Sequence, residues 1–126
     1  MRTLLIIEDN TDIREGTVEL LELAGFRVLS APEGNTGLEL IHKCKPDLVF
    51  CDVLMPGLSG YDVLTSIRRT VEFQDLPFYF ISALAEPIDE RRGLELGAMG
   101  YLKKPYTEDD LLNSINREFS SPGQHT

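Results

Sequence analysis

Five polar side chains, scattered along the chain, could act together on a phosphoryl group. Glu8 and Asp9 are adjacent, Asp52 stands alone, Ser82 offers a hydroxyl and Lys104 an ammonium. Three carboxylates brought to one place repel each other, and a hard divalent cation with oxygen ligands relieves that cost. Mg²⁺ is the usual candidate. A hydroxyl, an ammonium and a cation around a carboxylate suit a transferring phosphoryl group, because all three face the charge that gathers on its equatorial oxygens. Each residue also has a plain reading: an acid at a strand end is commonly a solvated turn residue, a serine there a cap, a lysine a surface charge. Only a fold that brings all five to one edge makes them a site.

The pattern of apolar residues supplies such a fold. Thr3 to Ile7 is a short apolar run that ends in acid, as a buried parallel strand does. Asn10 or Thr11 can cap a helix that sends Ile13, Val18, Leu20, Leu21 and Ala24 towards a core and stops at Gly25. Phe26 to Ser30 is a second strand, followed by a helix bearing Leu38, Leu40 and Ile41 and closed by Pro46. Asp47 to Cys51 is a third strand that delivers Asp52. Val53 to Ser59 holds proline and glycine and reads as a loop, and Gly60 begins a helix with Val63, Leu64 and Ile67. Phe78 to Ile81 is the fourth strand, with Ser82 at its end. The spacing predicts a helix over Glu86 to Leu96, with Ile88 and Leu94 inward. The short fifth strand, Met99 to Leu102, cannot continue through Pro105. Tyr106 to Phe119 carries Leu111, Leu112, Ile115 and Phe119 on a helical period.

Five βα units at this spacing imply an α/β fold of flavodoxin-like (βα)5 type: a three-layer sandwich around a parallel sheet of order 2-1-3-4-5. In that order the chain reverses direction between strands 1 and 3, and ligands bind beyond the carboxyl ends of the strands at that point. Glu8, Asp9 and Asp52 flank it. Ser82 and Lys104 end the fourth and fifth strands, so four of the five strands deliver candidate groups to one edge.

Composition narrows the function further. A chain of 126 residues with 42% apolar content suits one globular domain rather than a disordered segment. We expect that domain over residues 1–119, and a flexible tail or the start of a linker over 120–126. There is no run of about 18 apolar residues to span a membrane. The opening M-R-T-L-L-I-I-E-D meets acid too soon for a secretory leader, so a cytoplasmic location is expected. The net charge of −9 repels a phosphate backbone, which argues against direct nucleic-acid binding by this chain. Cys44 and Cys51 form neither a CxxC nor a zinc spacing and read as reduced packing residues. His42 and His125 are poor phosphodonor candidates.

With these residues placed, the sequence resembles the response-regulator receiver domain of two-component signalling over Leu4 to Phe119. The matching segments are I-E-D-N after the first strand, D-V-L-M-P-G-L-S-G around Asp52, I-S-A at the fourth strand and K-P after the fifth. The resemblance implies Asp52 as phosphoacceptor, and Asp9 as direct Mg²⁺ ligand with Glu8 acting through bound water. It implies the backbone carbonyl of Leu54 as a further ligand. Ser82 would be the hydroxyl that turns to the phosphoryl group, Lys104 the active-site lysine, and Tyr101 the aromatic switch residue. Lys103 would face solvent, and the Lys104–Pro105 bond would be cis. The implied partners are a histidine kinase or histidine phosphotransfer protein and a downstream effector or output domain. A homodimer on phosphorylation, through the face of the fourth helix, fifth strand and fifth helix, is also implied. Such a domain catalyses its own phosphorylation and dephosphorylation and is not a metabolic enzyme.

Two positions depart from many members: Leu54 and Leu84 stand two residues past the acceptor and the hydroxyl, where polar residues are frequent. Apolar side chains there would hinder an attacking water and lengthen the life of the phosphoryl group. Glu8 replaces the commoner aspartate and can still reach a metal-bound water. Among rivals, a dinucleotide-binding module would need G-x-G-x-x-G where the chain has E-D-N-T-D. A phosphatase or mutase with an aspartyl nucleophile would need an acid-base residue close after Asp52, where V-L-M-P stands. A degenerate receiver that only binds protein is the remaining alternative. The residues suit both a receiver that acts alone and one that belongs to a hybrid kinase or a longer regulator.

Overall fold

Strands that are apolar throughout must be covered on both faces, and that requirement organises the molecule. A computed structural model describes residues 1–84 and 86–119. The expected tail 120–126, with His125, lies outside the described residues. Five parallel strands, β1 (Thr3–Ile7), β2 (Arg27–Ala31), β3 (Leu48–Asp52), β4 (Phe78–Ser82) and β5 (Gly100–Lys103), pair in the order β2-β1-β3-β4-β5. The helices are α1 (Thr11–Leu23), α2 (Gly34–Cys44), α3 (Gly60–Arg68), α4 (Pro87–Glu95) and α5 (Glu108–Phe119), with a 3-10 turn at Val71–Phe73. The expected flavodoxin-like order 2-1-3-4-5 is the observed one. No helix among the described residues is long and apolar enough to cross a membrane.

Side chains alternate across the sheet and build two cores. Leu5, Ile7, Val49, Cys51, Phe78 and Phe80 meet α2 and α3 through Ile41, Val63, Leu64 and Ile67. Leu4, Ile6, Leu48, Phe50, Tyr79 and Ile81 meet Leu21 of α1 and Leu111 and Ile115 of α5. β3 and β4 are buried along their whole length, whereas the edge strands β2 and β5 are only partly covered.

Several boundaries sit one residue from their expected places: β2, β3 and β5 each begin one residue later than the sequence suggests. Asp52 and Ser82 therefore belong to the last rungs of β3 and β4 rather than following them. Asn10, not Thr11, caps α1; its side-chain oxygen accepts from the Ile13 N–H at 2.9 Å. Ala24 is exposed at the C-cap, and Cys44 is exposed too, so only Cys51 packs.

Helix α4 overturns the expected inward pair. Ile88 is 63% and Leu94 44% exposed. The buried residue is Gly93, where an added Cβ would lie 2.8 Å from the Phe80 ring. The helix approaches the sheet so closely that its contact position must lack a side chain, and a periodicity of apolar residues cannot reveal such a face.

Gly60 has the same property beside the candidate site. An added Cβ there would lie 2.2 Å from the backbone oxygen of Asp52, while the Gly60 N–H donates to Val53 O at 2.9 Å. Ser59 and Asp62 close a capping box around the same helix start. The first turn of α3 is thus clamped onto the end of β3. Gly60→Ala should therefore push α3 off the Asp52 backbone and destabilise the domain by roughly 1–3 kcal/mol, the usual cost of overpacking. Chemical unfolding compared with Gly16→Ala, where an added Cβ meets nothing within 4 Å, measures the difference.

Candidate functional site

Strand register assembles the site. Ile7 pairs with Cys51 across β1 and β3, so the next residue on each strand, Glu8 and Asp52, emerges at the same level. Ser82 ends β4 opposite Lys103 of β5, and Lys104 follows at once. The backbone N–H of Lys104 donates to Ser82 O at 2.8 Å, which extends the ladder by one bond and turns the lysine back over the edge. All five sequence-selected side chains lie at this one edge.

One carboxylate oxygen each from Glu8, Asp9 and Asp52 lies within 4.8 Å of the others. Glu8 is completely buried, Asp52 is 4% exposed and Asp9 is open to solvent. The Lys104 ammonium sits 3.0 Å from Asp52 Oδ2 and 2.5 Å from Glu8 Oε1. Burial works to lower the Lys104 pKa, but hydrogen bonding and attraction from Glu8 and Asp52 outweigh it, and the net shift is upward. The lysine therefore stays charged. One ammonium among three carboxylates still leaves negative charge in excess.

The free oxygens show what else the site can hold. Glu8 Oε2 accepts from the Asn10 N–H at 3.1 Å, and Asp52 Oδ1 accepts from the Leu54 N–H at 3.3 Å. Glu8 Oε1 touches the ammonium, yet no donor is aligned on it in hydrogen-bond geometry. An all-oxygen donor set with surplus negative charge fits a hard divalent cation or the water such a cation carries. The residues present thus fit Mg²⁺.

Supporting groups that sequence reasoning missed hold the edge in place. The Arg14 guanidinium donates to the Glu8 backbone oxygen at 2.8 Å, and the Asn10 main chain holds the Glu8 side chain. Nothing in the sequence separates Arg14 from an ordinary surface charge on α1. Cys51, directly before Asp52, is fully buried. Burial first, then the Asp52 and Glu8 charges, push its thiol well above its ordinary range and keep it neutral.

On the far side of the site, Ser82 is fully buried and its Oγ accepts from the Leu84 N–H at 3.1 Å. The Tyr101 hydroxyl donates to the backbone oxygen of Leu84, also at 3.1 Å, and its half-buried ring tilts against Phe80 at 6.2 Å. Ser82 and Tyr101 therefore grip the same residue from two sides. Leu84 is partly buried against the core, while Leu54 is 54% exposed. The Lys104–Pro105 peptide bond is cis and Lys103 is exposed, both as the resemblance implies.

Comparison with known proteins agrees with this geometry. The family described as the response regulator receiver domain matches residues 4–116. The transcriptional regulatory protein AfsQ1 of Streptomyces coelicolor is 41% identical over 105 residues, covering 83% of this chain and 45% of that protein. Across four curated relatives, the chain spans 41–45% of their length. Among solved structures, the chemotaxis protein CheY4 of Vibrio cholerae is 27% identical with a TM-score of 0.89, over 94% of this chain and 99% of that one. The non-phosphorylated HemR receiver domain of Leptospira biflexa is 30% identical with a TM-score of 0.86, over 96% of each. With a doubly covered parallel sheet, an acidic cluster at its β1/β3 edge and a lysine turned onto that cluster, this chain belongs to the response regulator receiver domain family.

Proposed function

We propose that this domain accepts a phosphoryl group on Asp52 from a phosphohistidine of a histidine kinase or histidine phosphotransfer protein. The observation that carries the reading is the Lys104 ammonium, drawn onto two buried carboxylates beside a third, exposed one. Asp9 and Asp52 would bind Mg²⁺ directly, with Glu8 acting through a bound water and the Leu54 carbonyl completing the protein ligands. Bound there, the cation supplies positive charge to the phosphoryl oxygens. An Asp52 oxygen attacks phosphorus, the P–N bond to the donor imidazole breaks, and that nitrogen keeps the electron pair. Lys104 follows the developing charge from the carboxylate to a phosphoryl oxygen, and the Ser82 hydroxyl meets another. Hydrolysis of the acyl phosphate releases phosphate and restores the Asp52 carboxylate.

The switch would run through Leu84. When Ser82 turns to the phosphoryl group it releases the Leu84 N–H, and Tyr101, bonded to the same residue, repacks with it. That change reaches α4, β5 and α5, the face on which we place the effector, the output domain or a second copy. The receiver would occupy residues 1–119 and lie in the cytoplasm. The likeness to longer proteins named as transcriptional regulators makes a regulator with a separate output module the context we propose.

Incubation with Mg²⁺ and acetyl phosphate should add one phosphoryl group by intact mass, and none in Asp52→Asn or with chelator. A wild-type chain that gains no adduct from acetyl phosphate or a phosphohistidine donor, and binds no beryllofluoride, is a protein-binding module instead. Mg²⁺ alone should raise the thermal midpoint: a ligand at about 100 times its dissociation constant stabilises by about 2.7 kcal/mol. Asp9→Asn should lose most of that rise. Leu54→Asn and Leu84→Gln should shorten the adduct's half-life by about threefold to tenfold, the effect of one hydrogen bond given to the attacking water. An unchanged decay rate would remove the role assigned to the leucines.

A further inference from the structure

Lys104 lies in a stretch with little regular support: β5 ends at Lys103 and α5 begins at Glu108. Its main chain is held on one side by the bond from Lys104 N to Ser82 O. On the other side, the nearest polar tie to the body of the protein is made by a side chain two residues on. The Tyr106 hydroxyl and Thr17 Oγ1 share a hydrogen bond of 2.7 Å across 89 positions of sequence. Thr17 lies on α1, the helix that follows the acid pair, and is only 6% exposed. The Tyr106 ring packs only partly against the core around Leu111. A cleft of about 420 Å³ lies between α1 and the turn, bordered by Ile13, Leu20, Pro105 and Leu111 as well as by Thr17 and Tyr106. The Tyr106 side chain crosses that cleft edge to reach α1.

We infer that Thr17 and Tyr106 form a tie that positions Lys104 over Asp52, linking the acid side of the site to its lysine side. The inference rests on the phosphoacceptor reading above. A lysine reaches its target on a flexible four-carbon stem and makes no fixed fork of bonds, so its aim depends on where its backbone is held. Here the ammonium is shared between Glu8 Oε1 and Asp52 Oδ2, 2.5 and 3.0 Å away. Burial pushes the Tyr106 phenol upward, so the hydroxyl keeps its proton through the neutral range. Neither residue touches the reacting atoms; both are positioning residues.

The test is a cycle of phosphorylation rates at saturating Mg²⁺ and acetyl phosphate, followed by intact mass, with thermal midpoints as a check on folding. Tyr106→Phe and Thr17→Val should each lower the maximal rate constant roughly fivefold, the worth of one net hydrogen bond, with the Mg²⁺ half-saturation unchanged. The double variant should lose no more than either single one, and Thr17→Ser, which keeps the hydroxyl, should retain the wild-type rate. In a Lys104→Ala background neither substitution should lower the rate further, because the group they position is gone. Equal losses in both backgrounds would show a general structural effect and overturn the tie, as would the absence of loss with Lys104 present. A wild-type chain that accepts no phosphoryl group would remove the phosphoacceptor reading and this inference together. A wild-type chain that accepts one while the cycle shows no coupling would remove the tie alone.

Discussion

Crowding of like charge at the carboxyl edge of the sheet constrains the rest of the molecule. Glu8 and Asp52 are buried, with carboxylate oxygens within 4.8 Å of each other and of Asp9. At an effective dielectric constant near 20, two unit charges at that separation repel by about 3.5 kcal/mol before any counter-charge is added. The fold holds them there because the strands beneath them are apolar along their length and cannot slide in register without exposing that surface. The neutralising groups then come from elsewhere: the Lys104 ammonium, and the N–H groups of Asn10 and Leu54. One buried oxygen of Glu8 still lacks an aligned donor. The edge keeps an all-oxygen donor set with negative charge in excess, the chemistry that fits a hard divalent cation.

Short contacts run from the same edge to helix α4. Leu84 is held by Ser82 through its N–H and by Tyr101 through its carbonyl. Tyr101 in turn packs on Phe80, whose ring also occupies the space that a side chain at Gly93 of α4 would need. Ser82, Leu84, Tyr101, Phe80 and Gly93 thus form one continuous series of contacts from the site to α4. Tyr61 of α3 reinforces this corner: its ring meets Phe80 edge-on at 5.2 Å, lies 4.5 Å from the Arg92 guanidinium of α4, and its hydroxyl donates to Asp89 O at 3.4 Å. The arrangement joins α3, β4 and α4 around one aromatic cluster.

Much of this was legible in the amino-acid order. Short apolar runs, four of the five ending at a polar group with chemistry, reveal both the strands and the edge to which they deliver Glu8, Asp9, Asp52, Ser82 and Lys104. Alternation of strand and helix implies a parallel sheet, because parallel neighbours need a crossover, and right-handed crossovers leave few orders. Strand ends were displaced by one residue because the last rung of a ladder depends on its partner strand, which local sequence does not see. The inward face of α4 departs from its apolar pattern for a related reason. Ile88 and Leu94 are apolar, but the helix makes its closest approach at Gly93.

Sequence alone thus determined which chemical groups this protein owns and the periodicities that carry them to one edge, since both are properties of residue type and spacing. Tertiary structure alone decided which oxygen lacks a donor, that Lys104 is shared by Glu8 and Asp52, and that Tyr106 meets Thr17 across the cleft. Those are distances between residues remote in sequence. They arise from strand register, from the close approach that Gly60 and Gly93 permit, and from the path of a four-residue turn, none of which any local pattern encodes.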